Sequence, residues 1–542
     1  MAMKRQALLL IFPLLASCAI SFGPIGDNKS ESSDDSLSSS IVSSFSSSSQ
    51  SGSSNVAGER TVEVYAINDF HGAIKEEGSF PGIKTLGSYF ADKGDDENTV
   101  LISSGDMFQG SLESNYNSGH LLADVMNECE FDALSLGNHD FDWGLEALKS
   151  NKDRVSSDGY QTPYLCANLY NYSSSSGEGN VQQSEYGGEY TVKVQENGLR
   201  VGIIGAIGRQ QLTSITSTYM QDVCFKDPAP IIKSISDKLR VEEDCDVVIL
   251  SFHAGQSSIL GQGITSTSSV SGKPYVDLVL CAHTHKFEST KENGVIFTQN
   301  DDKGENASHV TLTVSESGEV SGELKTITAS EMKAEVQKNG YDQTISNLVA
   351  SYGQETDAVG SQVLGTLSGN FYSSEQLPNL VAQAMLEEAS ESFSNIDIAM
   401  VNNGRASLYS GSLTYSSLFS ALPFDNEIYI LETNGSTLIK EACYNYIARG
   451  REEAFENTST STYRVAVIDY LAVHQDVSRA YDYFPGFTLV GKIASSGGGK
   501  RVYRDIAADY IRSKGTVRST DYASSLNRHN HNRDTLTTAV TL

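Results

Sequence analysis

The sequence predicts an α/β (α+β) fold, and three observations predict it. Its 542 residues exceed one ordinary core and suggest two to four domains at roughly 150 residues each. Apolar residues make up 39% of the chain, enough to bury a sizeable interior. From Thr61 onward, short β-rich runs alternate with segments of helical patterning, such as Leu121-Leu122-Val125-Met126.

The charge balance narrows the partners. Lys and Arg number 39 against 68 Asp and Glu, a formal net charge of -29. A phosphate backbone is held mainly by Lys and Arg, so a nucleic-acid polymer is not an expected partner, nor is an anionic membrane gripped through a basic surface. An anionic substrate would need a local positive centre, either a metal or a single Arg. No apolar run reaches the about 20 residues that cross a bilayer.

The first segment reads as an address. Lys4 and Arg5 precede the apolar run Ala7 to Leu15, and Leu15-Ala16-Ser17-Cys18 follows. A charged start, a short apolar core and small residues before a boundary mark a secretory signal. A Cys directly after that boundary resembles the lipobox of bacterial lipoproteins, which implies a signal over residues 1–17 and a lipid on Cys18. The alternative is a plain signal peptide that contains Cys18. Residues 30–54 hold sixteen Ser in twenty-five positions. Such a stretch cannot bury enough apolar surface to offset its ordering entropy, so residues 18–58 are expected to be a disordered tether. The expected location is therefore outside the cytoplasm, anchored to the cell membrane. Export would expose Cys129, Cys166, Cys224, Cys245, Cys281 and Cys443 to oxidation. None lies in a CxxC pair, and several sit in apolar strand-like runs, so they are expected to be small buried hydrophobes.

The next elements carry the chemistry. Five β-rich runs each end in a loop bearing Asp, His or Asn. Thr61–Ile67 leads into Asn68-Asp69-Phe70-His71, and Thr99–Ile102 into Ser104-Gly105-Asp106. Phe131–Leu136 leads into Gly137-Asn138-His139-Asp140, Val247–Leu250 into Ser251-Phe252-His253, and Val276–Leu280 into Ala282-His283-Thr284-His285. In open α/β folds ligands gather at the carboxyl ends of strands, so these loops are expected to converge at one sheet edge. Each alone has a plain explanation: Asp-x-His as a solvated turn, Gly-Asp as a common turn, His253 as a satisfied core histidine. The ordered set of five is what points to a metal centre.

Asp and His together suit Zn, Mn or Fe. Two carboxylates, four His and one Asn are too many for one ion and enough for two if one carboxylate bridges. Two such ions about 3.5–4 Å apart can clamp a nucleophile and phosphoryl oxygens together. Their four positive charges less those of Asp69 and Asp106 would leave a net +2 pocket on an otherwise acidic protein.

These motifs resemble the calcineurin-like metallophosphoesterases. Gly137 to Asp142 (GNHDFD) and Ala167-Asn168-Leu169 are similar, more narrowly, to the bacterial 5′-nucleotidase / UDP-sugar hydrolase branch. The resemblance covers roughly residues 60 to 490. It implies a four-layer α/β/β/α metallophosphoesterase domain over 59–335, a connector helix over 336–362 and an α/β substrate-binding domain over 363–542. It also implies that Asp69, His71 and His285 hold one divalent ion, that Asn138, His253 and His283 hold the other, and that Asp106 bridges. His139 would face the substrate, stabilising phosphoryl charge or protonating the leaving oxygen, with Asp142 orienting it.

The second half resembles the family's substrate domain with departures. Leu377 to Ala384 (LPNLVAQA) is similar to the Gly-Asn-Leu-x-x-Asp-Ala helix, with Pro378 and Gln383 in place of Gly and Asp. Asn402-Asn403-Gly404-Arg405 resembles a shortened Asn-Gly-Gly-x-x-Arg loop, which makes Asn402 and Arg405 candidates to bind substrate; a guanidinium fork fits phosphate oxygens. Leu422-Pro423-Phe424-Asp425-Asn426 matches Leu-Pro-Phe-x-Asn, so Phe424 would offer a face to a base. The Gly-Gly-Asp-Gly motif expected after Leu471-Ala472 is replaced by Val473-His474-Gln475-Asp476; Tyr481, Tyr483 or Phe484 would have to supply the second ring, and Tyr483 is the candidate carried forward. The expected function is an exported, lipid-anchored two-metal phosphoesterase acting on nucleoside 5′-monophosphates or related nucleotides. The alternatives are another small phosphoester, or a surface binding protein on a phosphatase scaffold.

Overall fold

The computed structural model describes residues 58–172, 182–216, 219–472, 483–495, 500–523 and 533–539. The expected signal, Cys18, all of the tether but its last residue, Tyr481 and the Val473–Asp476 stretch lie outside the described residues. Residues 57–542 cluster as one compact unit.

Two six-stranded sheets carry the N-terminal half. The first runs Val320–Thr328, Asn306–Val314, Arg60–Ile67, Thr99–Ser103, Ala133–Ser135, Tyr164–Leu165 in spatial order. The second runs Glu288–Glu292, Val295–Gln299, Leu278–Cys281, Val247–His253, Arg200–Ile207, Tyr190–Val194. The strands followed by the candidate ligands are parallel to one another within each sheet. Alternate residues explain the layering, because successive side chains of a strand point to opposite faces. Val62, Val64 and Ala66 join Val201, Ile203, Val247, Ile249, Leu278 and Leu280 in one buried cluster between the sheets. Ile67, Leu101 and Leu134 pack with the helices Gly82–Gly94 and His120–Glu128 on one outer face. Val248 and Leu250 pack with the helix Pro228–Val241 on the other. The order is helix, sheet, sheet, helix, as expected. Strands buried on both faces explain near-continuous apolar runs such as Val247–Leu250.

The segment expected to be one connector helix is divided. Ala329–Asn339 starts at a capping box formed by Thr328 and Glu331, and it ends at Gly340, whose φ of 102° suits only glycine. A second helix, Gln343–Gly360, is capped by the Asp342 side chain accepting from the Ile345 N–H. It packs against helices of the N-terminal half and against Tyr415–Ala421 of the C-terminal half.

The C-terminal half centres on a five-stranded sheet ordered Tyr446–Arg449, Ile398–Val401, Thr462–Ile468, Ile428–Asn434, Thr488–Lys492. The helices Gln376–Ser392 and Tyr503–Lys514 pack on one another and share its core. Pro378 sits in the first turn of its helix, where a missing N–H costs nothing. The five cysteines of the N-terminal half are buried, Cys443 is half-buried, and all six are free thiols. No helix among the described residues is long and apolar enough to cross a membrane.

Candidate metal centre

The ligand loops leave their strands at the carboxyl ends of both sheets and meet at one edge. Five of the seven candidate ligands hold the left-handed backbone conformation: Asp69 (φ 49°), His71 (49°), Asp106 (54°), His283 (79°) and His285 (56°). The conformation is uncommon for any non-glycine residue, though less so for Asp and His, and five cases in one site are a concentration of it. Two glycines allow the loops to approach. A Cβ on Gly105 would lie 2.5 Å from the Gly137 nitrogen, and a Cβ on Gly137 would lie 2.2 Å from Asp106 Oδ1.

Each carboxylate is divided between a tied and a free oxygen. Asp69 Oδ2 accepts from Asn68 Nδ2 at 2.6 Å and from the His283 N–H at 2.8 Å. Its Oδ1 is buried without a hydrogen-bond partner, 3.5 Å from His285 Nε2 and 3.9 Å from His71 Nε2. Asp106 Oδ1 accepts from the His139 N–H at 2.7 Å. Its Oδ2 is likewise buried and unpartnered, 3.2 Å from His253 Nε2 and 4.0 Å from His71 Nε2. Asp106 thus faces both groups that could hold an ion: Asp69, His71 and His285, and Asp106, His253 and His283. His71 Nε2 and His285 Nε2 stand 2.9 Å apart, two ring nitrogens aimed at the same space. Asn138 Oδ1 lies 3.2 Å from His253 Nε2 and borders the second group.

Two of the other ring nitrogens are anchored by main chain. His71 Nδ1 meets the Gln109 carbonyl at 3.1 Å, and His253 Nδ1 meets the Ser104 carbonyl at 2.8 Å. Burial holds His71 well below the ordinary histidine pKa and pushes His283 down to about 4, so both are neutral lone-pair donors. Burial also lifts Asp69 against the pull of His253. At Asp106 burial is overcome by His253 and His139, which hold the carboxyl well below its usual range. Unpartnered carboxylate oxygens, imidazole nitrogens and an amide converging on one space fit two divalent cations.

His139 stands beside this set with its Nδ1 2.7 Å from Asp142 Oδ2. Burial opposes its protonation, yet Asp142 and Asp106 raise its pKa above the ordinary value. A residue without an assigned role in the sequence, Asp140, holds the loops together. Its buried carboxylate accepts the N–H groups of Asp106 (3.1 Å), Met107 (3.2 Å) and Gly137 (2.8 Å). Burial pushes its pKa up to about 7. Its position inside GNHD was the available signal.

The C-terminal half reaches this edge through Leu422–Asn426. The Phe424 ring stacks on His139, centroids 5.6 Å apart, and the Arg405 guanidinium lies 4.8 Å over the same ring. The Phe424 ring thus stands against both His139 and Arg405. Arg504 pins the loop from behind, donating to the Leu422 and Phe424 carbonyls and to Asp425. Gln109 and Asn115 clasp the Pro423 carbonyl from the N-terminal half. Beside this contact a crevice is lined by Asp142, Trp143, Tyr219, Phe424, Asn426 and Asp469, among others. Asn402 is half-buried just after its strand. Tyr483 packs on the edge of the C-terminal core and is not among the crevice residues, and Phe484 is buried in that core.

Residues 62–287 match the family described as calcineurin-like phosphoesterase, and residues 358–450 match the 5′-nucleotidase, C-terminal domain. The chain is 22% identical to endonuclease YhcR of Bacillus subtilis, over 70% of this chain but only 32% of that protein. It is 22% identical to the protein UshA of Yersinia enterocolitica, over 73% of this chain and 81% of that one. The fold is that of the 5′-nucleotidase precursor from Thermus thermophilus, with a TM-score of 0.65 at 19% identity, covering 84% of this chain and 97% of that chain. The chain spans between about a third and just over half of the first curated relatives it matches.

Proposed function

Since the chain joins a calcineurin-like phosphoesterase domain to a 5′-nucleotidase C-terminal domain, we propose that it is a two-metal hydrolase of phosphoric esters. The observation that carries this reading is the paired arrangement of Asp69 and Asp106: one oxygen of each tied, the other buried, unpartnered and aimed at imidazoles. Asp69, His71 and His285 would hold one ion, Asn138, His253 and His283 the other, with Asp106 shared. Bound there, divalent ions would activate a water and neutralise charge on the phosphoryl oxygens.

The chain's own residues do the rest. Asp142 occupies His139 Nδ1, which leaves Nε2 to hold a proton toward the reacting phosphoryl group and to pass it to the leaving oxygen. Phe424 and the loop behind it stand against the His139 ring. The substrate class we propose is nucleoside 5′-monophosphates or related nucleotides, supported by the C-terminal domain match and by Arg405 and Phe424 at the site's edge. One observation favours a second reading, hydrolysis of a smaller phosphoester. Phe424 already stands against His139 and Arg405 and Tyr483 is not in the crevice, so among the described residues Phe424 and Tyr483 do not form a two-ring clamp for a base.

We also propose that the chain is exported and anchored by a lipid on Cys18, on the strength of Lys4-Arg5, the apolar run and Leu-Ala-Ser-Cys. A phosphate-release screen over nucleotides, sugar phosphates and cyclic nucleotides tests the function. Release from nucleoside monophosphates above all others supports the first reading, release from sugar phosphates supports the second, and no release from any of them in the presence of Zn or Mn overturns both.

A further inference from the structure

Of the anchored imidazoles, His71 and His253 rest on backbone carbonyls, and His285 does not. Its Nδ1 faces a carboxylate, Asp302 Oδ2, at an ion-pair distance of 3.8 Å, while its Nε2 faces Asp69 and His71. Its side chain is 40% exposed, whereas those of Asp69, Asp106 and His253 are 0% exposed. An exposed imidazole in a left-handed backbone has little packing to fix its ring.

Asp302 is itself held in place. The loop that carries it begins at Asn300, whose N–H donates to Asn68 Oδ1 and whose carbonyl accepts from Asn68 Nδ2. The Lys303 N–H donates to the Asp69 carbonyl at 2.9 Å. Asp301 accepts from the Phe287 N–H, two residues beyond His285, and from Asn306 Nδ2. The segment is thus stapled both to the Asp69 loop and to the chain leaving His285. Lys303 Nζ, 3.9 Å from Asp302, is the one cation beside it among the described residues and is 40% exposed.

We propose that Asp302 is a positioning residue for His285. Its charge, 3.8 Å from Nδ1, favours the Nδ1–H tautomer and leaves Nε2 as the donor beside Asp69 and His71, and it would thereby set how firmly an ion there is retained. A carboxylate behind a ligating imidazole fixes ring orientation and raises its basicity as a ligand. The inference rests on the two-ion reading of the site.

The test is metal retention by the purified full chain. Zn affinity would be measured by chelator competition, with ion content per chain, for wild type, Asp302→Ala and Asp302→Asn. The expected result is that Asp302→Ala loosens one ion by about 10- to 100-fold and leaves the other unchanged. Asp302→Asn, which keeps an oxygen that can accept from Nδ1, recovers part of the loss. The metal-free melting temperature stays that of wild type. Two ions held as tightly in Asp302→Ala as in wild type would overturn the proposal and leave the two-ion site standing. Equal loosening of both ions with a lower metal-free melting temperature would overturn it as general damage. A wild-type chain that retains no second ion would overturn the two-ion reading itself.

Discussion

The two walls of the cleft are built on different principles. On the N-terminal wall most groups are fixed by short-range geometry: tied carboxylate oxygens, the His71 and His253 rings on backbone carbonyls, and loops threaded through Gly105 and Gly137. On the C-terminal wall Phe424 is held by stacking on His139 and Arg405 and by carbonyls clasped from both halves. The first wall has one arrangement. The second is held partly by contacts to the first, so its fit to a substrate depends on how those contacts open. The chemistry should therefore be brittle to substitution on the N-terminal wall and graded on the other.

The sharpest break comes from Asp106→Asn. An amide cannot supply the charge shared by two ions, so turnover of any substrate should fall beyond the about 10²–10³-fold that loss of one transition-state hydrogen bond costs. Activity within tenfold of wild type, read as phosphate release, would make the two walls equivalent and undo the contrast.

His139→Ala should cost on the order of 10²–10⁴-fold in kcat while ion content stays at the wild-type level, because the proposed role of His139 is toward the substrate and not the ions. A parallel fall in ion content would move His139 into the ligand set.

Asp140→Ala probes the rigidity of the first wall directly. It leaves the N–H groups of Asp106, Met107 and Gly137 without their acceptor, and an unsatisfied buried donor costs about 1–3 kcal/mol. Chemical denaturation of the metal-free chain should show a loss of at least that size. An unchanged midpoint would mean that the loops hold themselves.

The smallest effect belongs to the second wall. Phe424→Ala should lower nucleotide kcat/KM near the bottom of the roughly 5- to 150-fold range expected for a stacked base, because the ring already stands against His139 and Arg405. Turnover of p-nitrophenyl phosphate should not fall, since Phe424 stands against His139 and takes no part in the proton transfer. Equal losses on both substrates would show that the ring only supports the domain.

The same contrast governs what the sequence could reveal. A β-run followed by Asp, His or Asn is a local pattern, so the strands and all seven candidate ligands were legible, as was Asp142 three residues beyond His139. The role of Asp140 was not, because its carboxylate serves N–H groups in a loop more than thirty residues away. Gln109 was not legible for a different reason: it orients His71 through its carbonyl, which every residue possesses. Asp302 sits in Asp-Asp-Lys-Gly-Glu-Asn, which reads as a solvated turn. Left-handed φ angles at Asp and His are hard to read from a sequence, since both residues adopt right-handed or extended backbone far more often. On the second wall the reading followed position along the chain to Tyr483, and the fold set that ring on the edge of the core. The single connector helix failed at Gly340, where a left-handed glycine ends one helix and Asp342 starts the next.

The central claim is that two ions at one sheet edge make this chain a phosphoesterase. It is tested most directly by titrating metal-free protein with Zn or Mn while following phosphate release from p-nitrophenyl phosphate. The account predicts no release without metal, little at one equivalent, and full activity only as the second equivalent is taken up. Full activity in the metal-free chain, or saturation at one equivalent, would contradict it.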